Sequence, residues 1–246
     1  MDLSVLAKSY NALQYQSRLK DLLNSYYKTS NFDGWEKFTL HQAINDAVFK
    51  DYNGEQVLKY KLAQLFKCKE YVGAFEVKAK SSRADFLVIN GDTKCFEVKS
   101  KIDTLARLNK QSQDYKDIFE YNTVVVDKKH LMPVRAIVPE YYGIWYFQGH
   151  KKIEYRNALL SPFIDAEAQL AMLTKKELKT FFGDADAKTI LKSLSGTEIN
   201  QSLKDALKYR YQTRWNFIKN NWDNILPIDL QFFFNTNVCP KLIYST

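Results

Sequence analysis

Apolar positions along the chain change period twice. Through residues 1–50 they recur at helical spacing: Tyr15, Leu19, Leu22, Leu23 and Tyr26 share one stripe, and Trp35, Phe38 and Leu40 open a second. Asn53-Gly54-Glu55-Gln56 then signals a new helix, with Asn53 as the cap and Gln56 completing a capping box. That helix carries Leu58, Leu62, Leu65 and Phe66. After Lys69 the pattern becomes extended. Tyr71–Ala79, Asp85–Ile89 and Lys94–Ser100 read as strands, with Asn90-Gly91-Asp92 as a turn. Asp103–Phe119 returns to helical spacing through Leu105, Leu108, Ser112, Tyr115 and Phe119, with Asp103 as its N-cap. Thr123–Asp127, Arg135–Pro139 and Gly143–Phe147 read as further strands. From about Ala158 onward the chain is helical again, over Leu170–Leu178, Ala187–Leu194 and Ile199–Asn220.

Strands framed by helices predict an α/β fold: a mixed central β-sheet flanked by helices, with helical N- and C-terminal additions. The division expected is a helical extension over 1–50, a core over 51–150 and a mainly helical region over 151–246. There is no internal repeat, and only 8 glycines and 5 prolines, which argues against a long disordered linker.

The chemistry concentrates in Arg83-Ala84-Asp85 and, twelve residues after the aspartate, Glu97-Val98-Lys99. Side chains alternate along a strand, so Glu97 and Lys99 face one way and Val98 the other. Whether Asp85 joins them depends on the turn. A two-residue turn would set Asp85 against Phe96 and send Glu97 to the wrong face. A three-residue Asn90-Gly91-Asp92 loop sets Asp85 opposite Glu97. Two acids and a lysine converging on one face suit a hard divalent cation held by oxygens of Asp85, Glu97 and the Val98 carbonyl. Lys99 would then orient a water or stabilise charge on a phosphate. The same residues also suit a surface cross-strand ion pair.

Net charge is +8 with a pI near 9.1, which favours polyanionic partners. The three cysteines (Cys68, Cys95, Cys239) and three histidines (His41, His130, His150) are scattered without zinc-ligand spacing. No stretch approaches a membrane span, and the first residues lack a basic-then-apolar leader pattern, so a cytoplasmic protein is expected. In the C-terminal half Lys204, Lys208, Arg210, Arg214 and Lys219 alternate with Tyr209, Tyr211, Trp215 and Trp222. This mixture suits either nucleic-acid contact or an amphipathic helix with an aromatic core stripe, and the core reading is preferred for the aromatics.

Asp85, an eleven-residue gap and Glu97-Val98-Lys99 in a strand–turn–strand–helix setting resemble the PD-(D/E)XK superfamily of restriction-endonuclease-like nucleases. The longer string Arg83-Ala84-Asp85, Glu97-Val98-Lys99-Ser100, Asp103-Thr104, Arg107-Leu108, Gln111 and Tyr115 is similar to an uncharacterised bacterial and phage sce-type family within it. The likeness covers about residues 55–145, and Ala84 stands where the superfamily has proline. It implies a restriction-endonuclease-like core and Mg²⁺- or Mn²⁺-dependent hydrolysis of phosphodiester bonds, in DNA or alternatively RNA. Asp85 and Glu97 would be ligands and Lys99 the catalytic lysine. Glu55 would be the helix-borne acid, with Glu76 as its rival, and Gln111 a polar residue near the site. Arg83, Lys101 and Arg107 would contact nucleic acid, and Tyr115 would pack in the core. A dimer is compatible with this reading. Two other readings remain open: a non-catalytic nucleic-acid-binding module, and a protein-interaction module. A cleft around the acids would favour the enzyme; a flat exposed face would favour its rivals.

Overall fold

A three-residue turn organises the molecule. In the computed structural model, which describes residues 1–28, 31–52, 54–67 and 70–245, Ile89 pairs with Thr93 and Asn90-Gly91-Asp92 closes the hairpin. Gly91 sits at φ 105°, where a side chain would be strained. This hairpin joins β2 (Ser82–Ile89) to β3 (Thr93–Lys99). Asp85 therefore lies inside a strand, where the sequence pattern placed it at the start.

The fold is α/β, with one six-stranded mixed sheet flanked by helices and with helical regions at both ends of the chain. Strands follow in sequence order from β1 (Val72–Ala79) through β4 (Tyr121–Val126) and β5 (Gly143–Gln148) to β6 (Lys151–Arg156). β3–β4 and β4–β5 pair in parallel; the other neighbours are antiparallel. The central strands are buried on both faces, which is why Phe86–Ile89 and Val124–Val126 read as unbroken apolar runs.

Helices α1 (Leu3–Ser9), α2 (Gln16–Tyr27) and α3 (Lys37–Asp51) bury Leu6, Leu19, Leu23, Leu40 and Ile44 among themselves and against Val57. Val57 belongs to α4 (Glu55–Phe66), whose N-cap is Gly54; the expected cap Asn53 lies outside the described residues. Helix α5 (Leu108–Lys116) is shorter than the spacing suggested. Asp103 does not cap it. Its carboxylate instead accepts from the Ser100 N–H and hydroxyl, both at 2.6 Å, and so fastens the turn that leaves β3.

The stretch Arg135–Pro139, expected as a strand, is mostly helix. Asp127 caps a 3₁₀ turn at Lys128–His130, and α6 (Leu131–Ile137) follows. Leu131, Val134 and Ile137 meet the sheet at helical spacing, so the short β-branched run was a helix face. Strand β6 went unrecognised because its sequence, Lys-Lys-Ile-Glu-Tyr-Arg, is that of a charged edge strand.

The C-terminal region forms α7 (Ala166–Ala171), α8 (Lys175–Phe182), α9 (Ala187–Ser193), α10 (Gly196–Asn220), α11 (Leu230–Thr236) and α12 (Pro240–Ser245). Thr174 breaks the expected Leu170–Leu178 helix by capping α8 with a full capping box to Glu177. Trp215 of α10 is fully buried against β1, its ring lying over Gly73, where any β-carbon would come within 2.8 Å of it. Tyr211 and Trp222 are likewise core residues, and Tyr209 is exposed. Lys204 and Arg210 are held by Glu120 and Glu177. A buried polar network ties the two ends of the chain: Tyr10 and Tyr244 both donate to Asp229 at 2.8 Å, and Tyr10 meets His41 Nδ1 at 2.7 Å. Among the described residues no helix is long and apolar enough to cross a membrane.

Candidate active site

The β2–β3 ladder ends at Phe86–Phe96, and Asp85 begins the opening beyond it. Its Oδ2 accepts from the Val98 N–H at 2.6 Å, so a carboxylate replaces a carbonyl in the ladder. Continuing the register sets Asp85 opposite Glu97 on one side. On the other side Glu76 of β1 falls between the pairs Phe75–Phe86 and Val77–Ala84, opposite Asp85. Glu76 has φ 55°, a left-handed backbone rare for a residue with a side chain. Three adjacent strands thus deliver three acids to one cleft of about 380 Å³.

Within the cleft the acids divide into two groups. Glu55, Glu76 and Asp85 each offer an oxygen within 4.8 Å of the others. Lys59 of α4 lies among them, 2% exposed. Its Nζ is 2.5 Å from Glu55, 3.1 Å from Asp85 and in contact with Glu76, and it donates to Gln231 of α11 at 3.0 Å. Glu97 belongs to the second group. Its Oε1 accepts from Lys99 at 2.7 Å and from Gln111 at 2.5 Å, and its Oε2 accepts from Tyr115 at 2.8 Å. Lys99 also donates to the Gln111 side-chain oxygen at 3.0 Å.

Electrostatics follow from this crowding. Burial and the charge of Glu97 push Asp85 up to about 8, against the pull of Lys59. Burial also raises Glu97, although Lys99, Tyr115 and Gln111 all favour its charged form. Burial disfavours the Lys59 ammonium, but Asp85, Glu55 and Glu76 outweigh it and drive its pKa upward. The Tyr115 hydroxyl is raised by burial and by Glu97, so it stays a donor.

The residues expected from sequence are therefore distributed as follows. Asp85, Glu97, Lys99, Glu55 and Gln111 line one cleft, with Val98, Arg83 and Arg107. The expected ligand trio of Asp85, Glu97 and Val98 is not the set that groups. Glu97's oxygens are taken by Lys99, Gln111 and Tyr115, and Asp85 gathers instead with Glu55 and Glu76. The choice between Glu55 and Glu76 is thus no choice, because both approach Asp85. Lys101 is exposed and outside the cleft lining, whereas Lys110 lies in it. Lys59 escaped the sequence reading. Its only signal is the four-residue step from Glu55 on one helix, which ordinarily marks a solvated pair. Tyr115 does pack in the core, 1% exposed, and its hydroxyl still reaches the site.

The donor set is all oxygen, which suits a hard divalent cation. Fully ionised, the four carboxyl groups would exceed the ammonium groups of Lys59 and Lys99 by two negative charges, and a bound ion would favour that ionised form of Asp85 over the neutral one its burial promotes. The residues fit such an ion.

Fold and cleft together define a mixed-sheet α/β protein with an acid–lysine cluster seated where the sheet opens. The chain belongs to the bacteriophage P4 protein cII family, which matches residues 57–233. Protein cII of Enterobacteria phage P4 is 31% identical over 152 residues, 55% of this chain. The chain spans only 57% of that relative's length. Among solved structures, the SPO1766 protein of unknown function from Silicibacter pomeroyi is similar over 49% of this chain and 82% of that one, at 19% identity and a TM-score of 0.38.

Proposed function

We propose that this protein is a divalent-cation-dependent nuclease of PD-(D/E)XK type that hydrolyses phosphodiester bonds in DNA in the cytoplasm. The observation that carries the proposal is the meeting of Glu55, Glu76 and Asp85 beside a Glu97–Lys99–Gln111 cluster in one cleft. Asp85, Glu55 and Glu76 would hold the cation. Such an ion, when bound, lowers the pKa of a water and neutralises charge on a phosphoryl oxygen. The chain's own residues do the positioning. Asp85 is locked by the Val98 N–H, so its other oxygen, 3.1 Å from the Lys59 ammonium, has a fixed direction. Glu97 and Gln111 hold the Lys99 ammonium at a set point, where it can donate to a water or a phosphate oxygen. Tyr115 orients Glu97 from behind.

The cleft setting of the acids supports this reading over a protein-interaction face. Lys59 supports one rival: its ammonium sits among the carboxylates as a cation would, as suits a non-catalytic nucleic-acid-binding module. The test is cleavage of plasmid, linear and single-stranded DNA with Mg²⁺ or Mn²⁺, with RNA as a parallel substrate. Cleavage is expected to vanish in EDTA and in Lys99→Ala. Activity persisting in excess chelator would exclude the metal mechanism.

A further inference from the structure

The carboxylate cleft does not end at Glu76. Glu76 and Arg83 also line a second, wider groove of about 700 Å³, whose other walls are Phe75 and Lys78 of β1, Tyr211 and Arg214 of α10, and Gln231 and Asn235 of α11. The two depressions therefore adjoin, with Glu76 and Arg83 on their shared border. Gln231 couples them again, since it faces the groove and accepts from Lys59 in the acidic cluster.

Charge reverses across this border. Among the described residues none of Lys78, Arg83 and Arg214 is in an ion pair, and all three are exposed. Arg83 is loosely tied, donating to the Glu76 carbonyl at 3.4 Å. Lys78 and Arg83 are partners across β1 and β2, two residues from the level of Glu76 and Asp85, or about 7 Å along the strands. The side chains of Phe75 and Tyr211 are buried, so their ring faces are not free to stack on bases. What the groove presents is exposed cations and the amides of Gln231 and Asn235, all of which can donate to phosphate oxygens, with no ring face free for a base.

We infer that the groove between β1, α10 and α11 is a DNA-backbone track that feeds the carboxylate cleft. This deepens the nuclease reading and rests on it for the direction of travel. It assigns the C-terminal helices a role in substrate binding. The polyanion is drawn to Lys78, Arg83 and Arg214, while the neighbouring stretch of backbone meets Asp85 and Glu76. The acids would repel that stretch without a cation, so binding in the cleft proper and binding in the track respond differently to divalent ions.

The experiment measures affinity of labelled single-stranded and duplex DNA in Ca²⁺ across a salt series. It compares the wild type, Lys78→Ala/Arg214→Ala, and Lys188→Ala/Lys192→Ala on α9 outside both depressions. Lys78→Gln/Arg214→Gln serves as a second variant that removes the charges but keeps more of the side chains than alanine does, including part of the Arg214 stem beside Phe234. Affinity is expected to fall about three- to tenfold in both groove variants, with the salt slope shallower by about 1.4 on single strands or 1.8 on duplex. The α9 control is expected to change less. Equal losses in groove and α9 variants would reduce the effect to net charge and overturn the track. So would groove variants that bind like wild type, or a wild type that does not bind DNA. Failure of the nuclease reading looks different: no cleavage in Mg²⁺ or Mn²⁺ while groove-dependent binding persists.

Discussion

Replacing Lys59 by methionine isolates what the acidic cluster costs the fold. The change removes one ammonium from among three carboxylates and leaves an unbranched apolar stem. The three pairs are unequal. Glu55 is 45% exposed, so its pair with Lys59 is screened and contributes under about 1 kcal/mol. Glu76 and Asp85 are 29% and 13% exposed. Stripping the partner from buried acids costs about 3–5 kcal/mol, and this partial exposure places the expected loss near 3 kcal/mol. For a chain of this size that is a fall in Tm of roughly 6–12 °C. The loss should depend on pH. Asp85 has a folded pKa near 8, above its ordinary value of 3.8, so its ionised form is disfavoured by folding. Its penalty is absent below the unfolded value and grows as pH rises toward the folded one. Without Lys59 the folded value moves higher still, so the deficit is largest in alkali and shrinks on acidification. A divalent ion should substitute for the missing charge, and saturation at a hundred times Kd would return about 2.7 kcal/mol. Thermal melts of both proteins, at acidic and alkaline pH, with and without Ca²⁺, read all three effects. A variant as stable as wild type in alkali, or a deficit that grows with acid, would refute the reasoning.

Three further outcomes are expected. Lys99→Ala and Glu97→Gln should each cut cleavage by about 10²–10⁴-fold, while DNA affinity in Ca²⁺ stays within a few-fold of wild type; wild-type cleavage rates in both would remove these residues from the site. Gly73→Ala forces a β-carbon to 2.8 Å from the Trp215 ring, and should cost about 1–3 kcal/mol in urea denaturation; an unchanged midpoint would mean that the ring yields freely. Asp229 is raised by burial to about 6 from 3.8, so its carboxyl should subtract up to roughly 3 kcal/mol as pH climbs through that window. His41, lowered by burial to about 4, titrates the opposite way, so the Asp229 effect is read as the stability difference between wild type and Asp229→Asn. That difference should move in favour of the variant with rising pH, and a flat difference would contradict it.

Much of this architecture was legible in the sequence because it rests on short-range rules. The β2–β3 hairpin follows from the unbroken apolar run Phe86–Ile89 and a three-residue turn with glycine at positive φ, and that turn fixes which face Asp85 shares. Gln111 was expected near the site from the family resemblance, since its helical spacing alone suits a solvated face equally well. What escaped at the site has one cause: residues whose neighbours are distant in sequence. Lys59 looks like any helical lysine until β1, β2 and α11 close over it. Tyr115 satisfies the spacing of a core residue, and the pattern cannot say that its hydroxyl also finds Glu97. Arg135–Ile137 failed for a different reason, since α6, at seven residues or about two turns, is too short for its period to be told from a strand.

The left-handed backbone at Glu76 sets robustness against chemistry at a single position. A residue with a side chain held there gives up about 1–2 kcal/mol relative to ordinary backbone, and glycine would relieve most of it. A thermostability screen run without substrate would therefore favour glycine at position 76 wherever that relief exceeds the lost pair with Lys59. The winners would be hardier proteins with an incomplete acidic cluster, their defect invisible to every assay of folding.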